Sequence, residues 1–309
     1  MVSKPRYSSQ LNDTQTSHWY NLTVVVTIVG LGLIGGSIGL ALKKRKSSGF
    51  EVVGYSRRPE TAAEAMSLGA IDRSETDLGR AVKQAELVII ATPVLAIRDI
   101  LSRMAPNLPS GCVVTDTAST KVQVMKWAEQ ILPPSVDFVG GHPMAGKETY
   151  GIRAAGADLF RGCAYCLTPS EGASSQSVAK ATRMVRKLGA RPLFIDAQEH
   201  DNLVAGVSHL PVLLSASLVS VTTRNSRWPQ MSGLAASGYR DLTRLSSGNP
   251  EVNAHICLTN KGPIVNWIDE FSRELGRYRE LVASGDKRLQ VALGEANRAR
   301  QEWLDSLST

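Results

Sequence analysis

Apolar and polar positions alternate in blocks along the first two thirds of the chain. From Val24 to Val29 every residue is β-branched, a run suited to a strand buried on both faces, and it stops at Gly30. The spacing then predicts a helix over 33–46, a second strand over 51–56 (EVVGYS) and a helix over 59–68. After the polar stretch DRSETD come a helix through Lys83, the strand ELVIIATP, a helix over 94–104 and the strand CVVTDTAS. A helix over 120–132, closed by Pro133 and Pro134, leads to the strand VDFVGGHP. A strand over 163–167, a helix over 174–188 closed by Gly189 and the strand RPLFIDA complete the series. This alternation predicts a doubly wound, mostly parallel sheet.

From about Gln198 the pattern changes, and helical spacing takes over at 200–223, 230–245, 249–280 and 286–307. The expected organisation is a tail (1–22), a doubly wound sheet domain (23–197) and an all-helical domain (198–309). The first of these helices, LVAGVSHLPVLLSASLVSV, is apolar almost all round. A surface helix cannot be, so it is expected to lie in a core or a subunit interface, and a homodimer is predicted.

Composition narrows the class without naming a chemistry. The 309 residues are 43% hydrophobic and 20% charged, as in a soluble globular protein. The apolar runs are read as too broken by glycine or charge to span a membrane, and residues 1–22 lack the apolar centre of a signal peptide. A cytoplasmic protein is expected. The net charge of +7 is spread out, and its one dense run, 43–46, suits a helix C-terminus, so small anionic ligands are expected and nucleic acid is not. Cys163 and Cys166 form a C-x-x-C on an apparent strand with no second pair, so no metal site is expected.

Chemistry enters at the strand exits. Gly30, Gly32 and Gly35 fall in the G-x-G-x-x-G spacing between strand and helix. Gly30 allows the turn, Gly32 the approach of a pyrophosphate and Gly35 the packing of helix on strand, with Leu33 and Ile34 opening that helix. The sequence thus predicts a Rossmann-type domain. At the end of the second strand Ser56 stands where an acid would hold the ribose hydroxyls of NAD, and Arg57 and Arg58 beside it suit the 2′-phosphate of NADP. NADP is therefore expected over NAD. By the rule that ligands sit beyond the carboxyl ends of the strands, Thr92, Pro93, Asp116 and Lys121 are placed against the cofactor. His142, on a stiff Gly/Pro-flanked exit, is placed in catalysis.

With these motifs in view the chain resembles the prephenate/arogenate dehydrogenase family of tyrosine biosynthesis. The resemblance rests on GLGLIGGS, the ATP exit at Ala91 to Pro93, D-x-x-S-x-K at Asp116, Ser119 and Lys121, GGHPMAG, SHLP at Ser208 to Pro211, and SGYRDLTR at Ser237 to Arg244. It implies oxidative decarboxylation of a cyclohexadienyl substrate, with His142 taking the hydroxyl proton, Ser119 positioning it and Arg244 holding a substrate carboxylate. Glu148, Asp241 and His209 fall on motif positions near the substrate. Val212, where many prephenate-using members have a second histidine, is similar to cyanobacterial arogenate dehydrogenases, which favour NADP, and arogenate is the slightly preferred substrate. Asn253 marks a second departure, where some members carry an aromatic. Two other readings share the fold: a β-hydroxyacid dehydrogenase, whose lysine base is missing from 200–223, and a non-catalytic dinucleotide sensor.

Overall fold

The computed structural model describes residues 23–44, 49–147 and 149–308. The predicted tail and Glu148 lie outside the described residues, as do Arg45 and Lys46 of the basic run. Eight strands form one sheet: β1 Val24–Val29, β2 Phe50–Tyr55, β3 Arg73–Glu75, β4 Leu87–Ile90, β5 Val113–Asp116, β6 Asp137–Pro143, β7 Ala164–Pro169 and β8 Arg191–Phe194. Their order is β3-β2-β1-β4-β5-β6-β7-β8, and every neighbouring pair is parallel except β6 with β7. A parallel step needs a crossover on one face of the sheet, and between β6 and β7 the described chain has only a 3₁₀ turn, Ile152–Ala154.

The crossovers are α1 Leu33–Lys43, α2 Pro59–Ser67, α3 Leu78–Val82, α4 Ile97–Met104, α5 Val122–Ile131 and α6 Ser175–Lys187. Strand residues alternate between two cores, as a pleat requires. Val26, Ile28, Leu87 and Ile89 pack with α1, α2 and α6, while Val29, Val88, Ile90 and Val114 pack with α3, α4 and α5. The sheet is therefore covered on both faces, which is why its strands read as continuous apolar runs. The sequence pattern missed β3. That edge strand has no apolar residue to show, and Arg73 ties it to β2 by an ion pair with Glu51 at 2.9 Å.

Beyond β8 the described chain is helical: α7 Ala197–Val204, α8 Leu210–Thr223, α9 Trp228–Ser232, α10 Ser237–Thr243, α11 Pro250–Thr259, α12 Lys261–Ala283 and α13 Arg288–Ser308. A π turn, Ala205–His209, joins α7 to α8. Pro211 lacks an N–H, so the carbonyl of Val207 has no donor four residues on, and the wider turn absorbs the gap. The expected single helix over 249–280 breaks at Asn260, whose side chain turns inward. The helix Ala197–Thr223 is long and apolar enough to cross a membrane by length and composition, with a mean hydropathy of 1.7 over 18 residues. Within α8 only Leu210 and Ser215 are buried, and Val221 is 72% exposed, so the described chain does not cover this apolar helix.

The described residues gather into two compact units, one up to Lys261 and one from Gly262 onward. In the second, the chain turns at Gly285 (φ +63°), and the Asp286 carboxylate accepts the Arg288 N–H at 2.8 Å to start α13. The Tyr278 hydroxyl donates to the carbonyl of Ala292 at 3.5 Å.

Candidate active site

Strands β1, β4, β5 and β6 run parallel, so Gly30, Thr92, Asp116 and His142 share the carboxyl edge of the sheet. At Gly30 the backbone has φ +100°, and a Cβ there would lie 2.5 Å from the carbonyl oxygen of Ala91. A Cβ on Gly35 would fall 1.9 Å from the carbonyl oxygen of Gly30, so α1 presses directly on the turn. Gly32 differs, because a Cβ there would meet nothing within 4 Å. Gly32 also begins α1 without a side-chain cap or any acid in the first turn, and Leu33 and Ile34 are half-buried above it. The Thr92 hydroxyl is shielded from solvent with no hydrogen-bond partner among the described residues, and Pro93 follows it half-buried. An open glycine face, free N–H groups at a helix start and an orphaned hydroxyl together fit a dinucleotide phosphate.

At the end of β2 Arg57 and Arg58 are exposed, and the Ser56 hydroxyl accepts the Arg58 N–H at 3.2 Å. Asp116 and Lys121 are placed differently from expectation. Both side chains are fully buried and form an ion pair. Asp116 also accepts the N–H groups of Ala118 at 2.8 Å and Gly141 at 3.0 Å, and Lys121 Nζ donates to the Gly141 carbonyl at 2.6 Å. Neither has surface from which to touch a cofactor, so their work is to bind the exits of β5 and β6 together.

His142 sits near the end of β6, 6% exposed. Its Nδ1 lies 2.9 Å from Nε2 of His200, and the rings meet edge to face. Burial, then the neighbouring His200, Lys121 and His209, hold the His142 imidazole well below its usual pKa, so it is neutral at neutral pH. His209, in the π turn, is pushed down to about 4, chiefly by burial. Its Nδ1 lies 3.2 Å from the Asn260 amide, which also donates to the carbonyl of Asp201 at 2.7 Å, and the ring also faces the backbone of Ser119. Ser119 is half-buried on the loop after β5, and the Nδ1 partner of His142 is His200.

Arg244 begins a 3₁₀ turn, Arg244–Ser247, directly after α10, and is exposed, as is Asp241 on α10. The turn is pinned to α8 by Ser246 N–H donating to Ser215 Oγ at 2.9 Å, and α10 by Thr222 Oγ1 and the Tyr239 hydroxyl at 2.7 Å.

Sequence reasoning missed His200, Asp201 and Asn260, all buried beside His142 or His209. A signal was present for two of them. Asp196 caps α7 by accepting the N–H groups of Gln198 and Glu199, which starts the helix three residues before the expected position. That register turns the adjacent His200 and Asp201 inward.

A doubly wound sheet with this glycine turn, followed by helices, places the chain among the dinucleotide-binding proteins. Family comparison gives the particular kind. Residues 38–193 match the nucleotide-binding domain of prephenate dehydrogenase and residues 196–293 its dimerisation domain. The chain belongs to the prephenate dehydrogenase family. It is 37% identical over 263 residues to a prephenate dehydrogenase of Bacillus subtilis, covering 84% of this chain and 71% of the relative. A cyclohexadienyl dehydrogenase of Zymomonas mobilis is 32% identical, covering 84% of this chain and 89% of that one. The crystal structure of Synechocystis arogenate dehydrogenase superposes with a TM-score of 0.77 at 30% identity, covering 91% of this chain and 100% of the other.

Proposed function

We propose that this protein catalyses the NAD(P)-dependent oxidative decarboxylation of a cyclohexadienyl substrate, prephenate or arogenate, with arogenate and NADP preferred. The observation that carries the reading is His142, a buried neutral imidazole on the same sheet edge as the glycine turn. Gly30, Gly32, Leu33, Ile34, Gly35, Thr92 and Pro93 would hold the cofactor, with Ser56, Arg57 and Arg58 at its ribose end. When bound, the nicotinamide supplies a hydride acceptor.

His142 accepts the proton of the 4-hydroxyl as hydride leaves the carbon that bears it. Carbon dioxide departs from the opposite ring carbon, its bonding electrons complete the aromatic ring, and His142 returns the proton to the phenolate oxygen. The proton is borrowed, so the imidazole ends as it began. Arg244 holds a substrate carboxylate through paired N–H donors, with Asp241 and Glu148 ordering it or meeting the substrate ammonium. Ser119 and His209 line the substrate side of His142. The uncovered apolar face of α8 supports a homodimer, with residues 198–309 as the substrate and dimerisation domain and 23–197 as the cofactor domain. The B. subtilis, Z. mobilis and Synechocystis relatives are named for prephenate, cyclohexadienyl and arogenate substrates, which supports the substrate class. Product analysis tests the reading: each substrate, with cofactor, should yield carbon dioxide together with tyrosine from arogenate or 4-hydroxyphenylpyruvate from prephenate. Oxidation without carbon dioxide release would reject it.

A further inference from the structure

Behind His142 lies a chain of hydrogen bonds that the reaction as written does not use. His142 Nδ1 is 2.9 Å from His200 Nε2, and His200 Nδ1 is 2.8 Å from Asp201 Oδ1. The side chains of His200 and Asp201 are 0% and 1% exposed. Asp201 is itself fixed from outside α7: Oδ1 accepts the N–H of Lys121 at 2.7 Å and Oδ2 that of Val122 at 2.9 Å, while Asn260 holds its backbone carbonyl.

The direction of each hydrogen bond follows from donor and acceptor capacity. A carboxylate only accepts, so the hydrogen between His200 and Asp201 is on His200 Nδ1. If the His200 ring is neutral, its one N–H is spent on Asp201 and Nε2 is left as an acceptor. The hydrogen shared by the two rings is then on His142 Nδ1, and His142 Nε2 keeps its lone pair. We propose that Asp201 and His200 are positioning residues, which fix His142 in the tautomer whose Nε2 takes the substrate proton. The proposal rests on His142 being the base. Besides Asp201, the titratable groups near the two rings include Lys121 at the start of α5, Asp116 at the end of β5, His209 in the π turn and Cys166 on β7, paired with His142. Were His200 an imidazolium, it would donate to His142 Nδ1, move the His142 proton to Nε2 and leave no base.

Asp201 also caps α5, whose first residues have no side-chain cap of their own. A purely structural role would stop there, and would leave the His142 tautomer and the His200 acceptor without consequence.

Nitrogen NMR on the full-length protein labelled with ¹⁵N-histidine reads the tautomer directly. The chain has five histidines, and the His142 signals are those lost in His142→Asn. At neutral pH His142 should carry its proton on Nδ1, with Nε2 bare. A His142 proton on Nε2, or an imidazolium at His200, would overturn the proposal. In a second arm, His200→Gln keeps a carbonyl acceptor for His142 Nδ1 and His200→Leu removes it. Of these, the Leu variant should have a kcat at least about tenfold below the Gln variant, with KM and cofactor Kd within about threefold of each other. Equal kcat in the two folded variants contradicts the proposal, and if either fails to fold the wild-type spectrum decides. Wild-type turnover by His142→Asn would reject the base itself, a failure distinct from a wrong tautomer.

Discussion

Lys121 and Asp116 form an ion pair with no solvent exposure on either side chain, and the same ammonium donates to the carbonyl oxygen of Gly141, 2.6 Å away. One cation thus joins the end of β5 to the strand that carries His142. A Cβ on Gly141 would lie 2.4 Å from the Asp116 carbonyl oxygen, so the two exits are in direct backbone contact.

Removing one partner leaves a buried charge without compensation. Lys121→Met should cost about 3–5 kcal/mol of stability, measured by urea denaturation. A loss below about 1 kcal/mol would show that the pair is not what joins the strands.

This pair also shows how far the sequence could be read. The D-x-x-S-x-K motif and the strand-exit rule placed Asp116 and Lys121 at the right edge, because strand ends follow from apolar runs. They could not say which side chains face a ligand and which face each other across two strands, since that depends on the pairing of β5 with β6. The glycine turn was legible because close backbone approach can be met only by glycine, as the clashes at Gly30 and Gly35 show. His200 and Asp201 were legible only in part: the Asp196 cap that sets their register is local in sequence, whereas their contacts with Lys121, Val122 and Asn260 are far away in it. The uncovered face of α8 was read as apolar from its composition, since apolar positions fall almost all round the helix.

The two depressed histidines make stability fall with acid. Above about pH 6.5 both are neutral, folded or unfolded, and contribute no pH dependence. As pH drops below 6.5 the unfolded chain takes up protons that the folded chain refuses, and for His209 this continues to about 4. The His209 contribution alone is of order 3 kcal/mol once pH is below both values. Urea midpoints should therefore fall from pH 7 to pH 4.5, and less steeply in His209→Gln. Equal slopes in the two proteins would contradict the burial of His209 as the cause.

Two glycines at the start of α1 should respond in opposite ways. Gly35→Ala forces a Cβ to 1.9 Å from the Gly30 carbonyl oxygen and should destabilise the fold by about 1–3 kcal/mol or more. Gly32→Ala meets nothing within 4 Å and should leave the melting temperature unchanged while raising the cofactor KM. A normal cofactor KM in Gly32→Ala would remove the pyrophosphate from this face.

Arg244, on an exposed turn fastened to α8, should act on binding more than on chemistry. Arg244→Ala is expected to raise substrate KM by about tenfold to a hundredfold, the value of a charge-assisted bidentate contact, with cofactor KM unchanged. Steady-state kinetics at saturating cofactor checks this, and a wild-type KM would reject the assignment.

The most direct test of the account is the initial rate of reduced nicotinamide formation by purified protein, with prephenate or arogenate and NAD or NADP in all four combinations. The account predicts turnover, fastest with arogenate and NADP. Turnover fastest with NAD would contradict the reading of Ser56, Arg57 and Arg58, and no turnover in any combination, by a protein that binds the cofactor, would contradict the central claim.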